Sequence, residues 1–137
     1  MPNNNNGSKW IRPDKRLAIY LRDGFTCAYC GSSGVLDRVP LTLDHLQPRE
    51  LGGTNEATNL ICACRDCNSN RRSVGLDDWL ARLPDSSAIA QRINTRTSTD
   101  LTPYRAKAKA LIHGNHFVVT DIRRRADMSW RSEHLHA

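Results

Sequence analysis

Apolar residues along the chain fall into short blocks separated by polar and glycine-rich stretches, and their spacing predicts the elements. Residues 13–24 (PDKRLAIYLRDG) open on a proline suited to a first helical turn, bring Leu17, Tyr20 and Leu21 to one face, and stop at Gly24. After Phe25, a GSSG turn follows directly on Cys30. Residues 39–45 (VPLTLDH) alternate Leu41 and Leu43 with Thr42 and Asp44, which predicts a strand that delivers Asp44 and His45 to the mouth of a loop. That loop carries Pro48, Gly52 and Gly53. Residues 59–63 (NLICA) predict a second strand, and a helix opening at Asp66 or Asn68 runs on through Arg72. The order is strand, loop, strand, helix. Residues 76–83 (LDDWLARL) gather Leu76, Trp79, Leu80 and Leu83 on one helical face, and residues 103–112 predict another helix.

Composition narrows the picture. A chain of 137 residues suits one domain, and a hydrophobic content of 39% with 6% aromatics implies a small core helped by a staple such as a bound metal. The expected organisation is a flexible arm over 1–9, a core over 10–75, a helical extension of the same domain over 76–121 and a basic tail over 122–137. Twenty Lys and Arg against fourteen Asp and Glu leave a net charge of +6, which draws the chain toward a polyanion and makes nucleic acid a candidate partner. With neither a long apolar run nor a secretory-type start, a cytoplasmic protein without a membrane is expected. In that setting five cysteines point to a metal site plus one spare thiol rather than to a disulfide framework.

The cysteines form two C-x-x-C pairs, Cys27 with Cys30 and Cys64 with Cys67, and two such knuckles make a Cys₄ set for zinc. The alternative is a redox pair or plain buried thiols. Cys62 could replace Cys64, but only 64 and 67 keep the two-residue spacing, so Cys62 is expected to be a small apolar residue of its strand. A closed Cys₄ site holds structure and leaves no open position for chemistry, so the active residues must lie elsewhere.

Between the knuckles the chain resembles the HNH nuclease family, also called ββα-metal nucleases. The marks are C-x-x-C-G from Cys27 to Gly31, a strand ending Asp44-His45, P-x-x-x-G-G from Pro48 to Gly53, Asn59-Leu60, and C-x-x-C-N from Cys64 to Asn68. The resemblance spans residues 16–72. It implies an α+β fold with a small ββα core, a structural zinc and flanking helices. It also implies a DNA endonuclease using Mg²⁺ or Mn²⁺, with His45 as general base, Asp44 and Asn68 as cation ligands, and Asn59 orienting the histidine by tying the loop back. The chemistry agrees: imidazole exchanges protons near neutral pH, and a carboxylate and an amide oxygen suit a hard cation. A strand points neighbouring side chains to opposite sides, so Asp44 can face the metal while His45 faces the attacking water. Cleavage of this kind leaves 5′-phosphate and 3′-hydroxyl ends.

Arg49, Arg65, Arg71 and Arg72 surround the motif as candidate DNA contacts, since guanidinium groups suit phosphates. Asn68 as a plain helix cap and Asn59 as a plain turn residue are the structural alternatives. Arg123, Arg124 and Arg125 form a second basic run, either a solvated face or a DNA clamp. His113 and His116 could mimic a metal pair, but they lack nearby acidic or cysteine partners, which favours a surface or loop role. A non-catalytic zinc-stapled DNA-binding module is the competing function, and a zinc-bearing protein-interaction domain a third. Retention of Asp44, His45, Asn59 and Asn68 together argues for the enzyme.

Overall fold

The computed structural model describes residues 11–114; the arm, His116, the run Arg123 to Arg125 and the tail lie outside them. Helix α1 (Pro13–Arg22) begins with proline at its first turn. It ends where Asp23 leads into Gly24 and Phe25, both at positive φ (65° and 55°). Strands β1 (Leu41–His45) and β2 (Leu60–Cys64) pair antiparallel, with Leu41 opposite Cys64 and His45 opposite Leu60. The connection between them contains two short 3₁₀ turns, Arg49–Leu51 and Ala57–Asn59. Helix α2 (Arg65–Arg71) follows β2 without a break. Then come α3 (Leu76–Leu80), α4 (Ser86–Thr97) and α5 (Thr102–His113). The fold is α+β, a ββα unit with added helices.

All five β2 residues are buried because the strand separates two apolar clusters. Leu60 and Cys62 join Leu41, Leu43, α1 and Ala108 of α5 on one side. Ile61 and Ala63 join the first knuckle, Trp79, Leu80, Ile89 and Ile93 on the other. The period-two alternation of a strand buried on both faces explains why LICAC reads as a continuous apolar run.

A buried ion pair fastens α1 to this strand. Arg22 Nε meets Asp23 Oδ1 at 2.6 Å, and Arg22 also donates to the carbonyls of Ala57 (3.0 Å) and Leu60 (2.7 Å). Asp23 Oδ2 in turn accepts from the Cys62 amide at 2.9 Å. Every strong polar group of the pair is satisfied, as burial of charge requires.

Three elements differ from the sequence reading. Helix α2 starts at Arg65 rather than at Asp66 or Asn68, because Cys64 takes the cap position and its Sγ accepts from the Cys67 amide at 3.4 Å. Helix α3 stops at Leu80, although Leu83 still packs on the same cluster. Helix α4 was not predicted, since only Ile89 and Ile93 mark its apolar face. Burying each contributes about 1.5–3 kcal/mol. Arg92 and Arg96 on the same helix donate to Ala28 O (2.7 Å) and Thr26 O (2.9 Å), which docks α4 on the chain around the first knuckle.

Candidate functional site

The Sγ atoms of Cys27, Cys30, Cys64 and Cys67 all lie within 4.8 Å of one another, so one metal ion can be held by all four. A tetrahedral zinc with bonds near 2.3 Å places its sulfurs about 3.8 Å apart, and Cys30 and Cys64 stand at 3.7 Å. Amides already point at the sulfurs: Tyr29 N and Cys30 N approach Cys27 Sγ at 3.4 and 3.5 Å. Burial pushes the Cys27 thiol up to about 11. At Cys30 burial pushes the same way, but hydrogen bonding with Ser32, Cys27 and Cys64 outweighs it and brings the thiol down to about 7. A bound dication favours the thiolate at all four. Cys62 is fully buried in the other cluster, where burial raises its thiol well above the ordinary range. It is the spare cysteine.

At the end of β1 a cleft of about 520 Å³ is lined by Asp44, His45, Arg49, Glu50, Asn68 and Arg72, together with Leu43, Pro48 and Ser73. Three elements meet there. Strand β1 brings Asp44 and His45, the loop brings Arg49 and Glu50, and α2 with the residues after it brings Asn68 and Arg72.

Asp44 is only 5% exposed, and its bonded neighbours crowd one oxygen. Arg71 Nη1 donates to Oδ2 at 2.5 Å, and the Tyr29 hydroxyl donates to the same atom. Burial first, and the Asp44 charge second, raise the ionisation of Tyr29 far above the ordinary range, so it stays a neutral donor. Among the described residues no protein group bonds Asp44 Oδ1. Asn68 donates through Nδ2 to Leu43 O at 3.5 Å, and its Oδ1 likewise has no protein partner. Two hard oxygen donors thus line one cleft, a donor set suited to a small divalent cation.

The loop that follows is tied shut by Asn59. Its Oδ1 accepts from Gln47 N at 2.8 Å, and its Nδ2 donates to Thr54 O at 2.8 Å and Gln47 O at 3.2 Å. Gly52 takes φ +93°, and a Cβ on Gly53 would stand 1.7 Å from Gln47 O, so both glycines are needed for the loop to close.

The four arginines separate. Arg49 and Arg72 line the cleft; Arg65 is exposed but outside its lining. Arg71 corrects the sequence reading, for it is 0% exposed. Besides Asp44, its guanidinium donates to His45 O (3.1 Å), Leu46 O (2.6 Å) and Val74 O (3.0 Å). It is an internal clamp and has no surface to offer a phosphate. Sequence reasoning also missed Tyr29 and Asn55. The signal for Tyr29 was its place inside the first C-x-x-C, one strand away from Asp44.

Compared with known families, residues 27–73 match the model of the HNH endonuclease. The likeness to that family is confined to this segment. It contains both cysteine knuckles, the Asp44-His45 strand end, Asn59 and Asn68, whereas α1 and the helices after residue 73 lie outside the match. No curated protein and no solved structure matches the chain. Within this segment the Cys₄ set lies on the far side of β2 from α1, and the cleft opens at the other end of the strand pair. No helix among the described residues is long and apolar enough to cross a membrane.

Proposed function

We propose that this protein is a metal-dependent DNA endonuclease whose cleft, lined by Asp44, His45 and Asn68, hydrolyses a phosphodiester bond. The observation that carries the reading is the meeting of an imidazole, a carboxylate oxygen and an amide oxygen in one cleft that also holds Arg49 and Arg72. His45 is the general base: it takes the proton from the attacking water. Asp44 and Asn68 would hold Mg²⁺ or Mn²⁺, while Tyr29 and Arg71 engage the other Asp44 oxygen, Oδ2. A cation held there would supply neutralisation of the charge that builds as the phosphodiester breaks. The products then carry 5′-phosphate and 3′-hydroxyl ends. Arg49 and Arg72 position the DNA backbone at the cleft, and Arg65 is a contact farther out. Asn59 acts through the loop it ties, and zinc held by the Cys₄ set would keep strand and helix in register.

The test is nicking of supercoiled plasmid with Mg²⁺ or Mn²⁺. His45→Ala should lower the rate by about 10²–10⁴-fold, with zinc content and circular dichroism unchanged. Asn68→Ala should instead raise the cation concentration needed. Undiminished nicking by His45→Ala would remove the proposed base. DNA binding without cleavage under any divalent cation would make the chain a zinc-stapled DNA-binding module.

A further inference from the structure

The loop contains a side chain that no motif residue accounts for. Asn55 is 2% exposed, although it sits in a glycine-containing connection between two strands. Its Oδ1 lies 2.8 Å from His45 Nε2 and 3.3 Å from Arg49 Nη1. Its backbone carbonyl accepts from Lys15 Nζ, which reaches across from α1. Asn55 is therefore held from both ends.

The Arg49 contact decides which way the amide faces. A guanidinium only donates, so the Asn55 atom it meets must be the carbonyl oxygen. That oxygen only accepts, so the imidazole nitrogen 2.8 Å away must carry a proton. Neutral imidazole has one N–H and one lone pair, and with the proton on Nε2 the lone pair belongs to Nδ1. Among the described residues, His45 Nδ1 has no protein partner.

We propose that Asn55 is a positioning residue that holds the proton of His45 on Nε2 and leaves Nδ1 as the atom that accepts the proton of water. This rests on the proposed role of His45 as general base, and it names the atom. Asn55 exchanges no proton itself. It acts through the ring, as the orienting partner does in other histidine-based sites. Through Lys15, α1, which lies outside the HNH match, backs the residue that sets the histidine.

Two readouts test this, and the first needs no activity. In ¹⁵N-labelled protein at neutral pH, His45 should show a proton coupled to Nε2 and slow to exchange with solvent, assigned by its loss in His45→Gln. That proton should persist in Asn55→Asp, which keeps an acceptor oxygen, and exchange away in Asn55→Ala. In plasmid nicking, Asn55→Ala should lose roughly 10–100-fold in kcat with KM for DNA little changed, and Asn55→Asp should recover part of the loss. A proton found on Nδ1 in the unmodified protein would overturn the proposal, whatever the Asn55 variants do. So would an Asn55→Ala variant that keeps both the Nε2 proton and kcat. If the unmodified protein cleaves no DNA while the Nε2 proton behaves as stated, the nuclease reading fails and the proton assignment stands.

Discussion

Replacing Arg71 by methionine is the perturbation whose size the structure defines best. Methionine keeps an unbranched apolar stem of similar reach but removes every donor. Arg71 is fully buried and bonds Asp44 Oδ2 at 2.5 Å, together with three backbone carbonyls at 2.6–3.1 Å. Removing one member of a buried ion pair costs about 3–5 kcal/mol, because the remaining charge stays out of water. Losing a partner costs about 1–3 kcal/mol for each carbonyl left without one. These terms do not add in full, since Asp44 borders the cleft and keeps the Tyr29 donor, so water can repair part of the loss. The expected loss is about 3–5 kcal/mol, a large part of the roughly 5–15 kcal/mol that holds an ordinary domain together. Urea unfolding at constant zinc, followed by circular dichroism, measures it. Adding Asp44→Asn to Arg71→Met should recover much of the loss, since the unpaired charge is gone. A loss below about 1 kcal/mol, together with weakened DNA binding, would refute the reasoning and return Arg71 to the DNA surface.

Other expectations follow from single contacts. Gly53→Ala brings a Cβ onto Gln47 O, 1.7 Å away in the present backbone, so the loop must shift; we expect a cost of about 1–3 kcal/mol, checked by unfolding, with nicking reduced in parallel. Removing zinc with a strong chelator should unfold the chain, because a structural zinc contributes about 10–16 kcal/mol, and native circular dichroism without metal would contradict this. Tyr29 has its ionisation raised by burial and by Asp44, so its contribution to stability is present below the unfolded tyrosine value near 10 and is lost as pH rises above it. Stability of the unmodified protein should fall more steeply above about pH 10 than that of Tyr29→Phe, as read by urea midpoints.

How much could be read without coordinates depended on whether a residue's partner was near in sequence. The Cys₄ set was legible because C-x-x-C carries its own geometry, and Cys62 was separable from it by spacing alone. Asp44, His45 and Asn68 were legible by their order, and they line one cleft. Arg71 was not, because an Arg-Arg pair at a helix end looks solvated, and only the return of α2 onto β1 buries the first of the two. Asn55 was lost among polar loop residues, since its partner Lys15 lies on α1, forty positions earlier. Arg22 and Asp23 read as an ordinary helix end, yet they bind the second strand's backbone. Helix α4 was hidden by its Ser-, Thr- and Asn-rich surface, as two isoleucines four residues apart give little periodicity.

Hydrolysis run in ¹⁸O-labelled water tests the central claim most directly. If water primed by His45 attacks phosphorus and the 3′ oxygen departs, mass spectrometry of the digested ends should find the label in the new 5′-phosphate and none at the 3′-hydroxyl, with labelled product from His45→Ala forming about 10²–10⁴-fold more slowly. Unlabelled 5′ ends, 3′-phosphate ends, or labelled product from His45→Ala at the unmodified rate would contradict it.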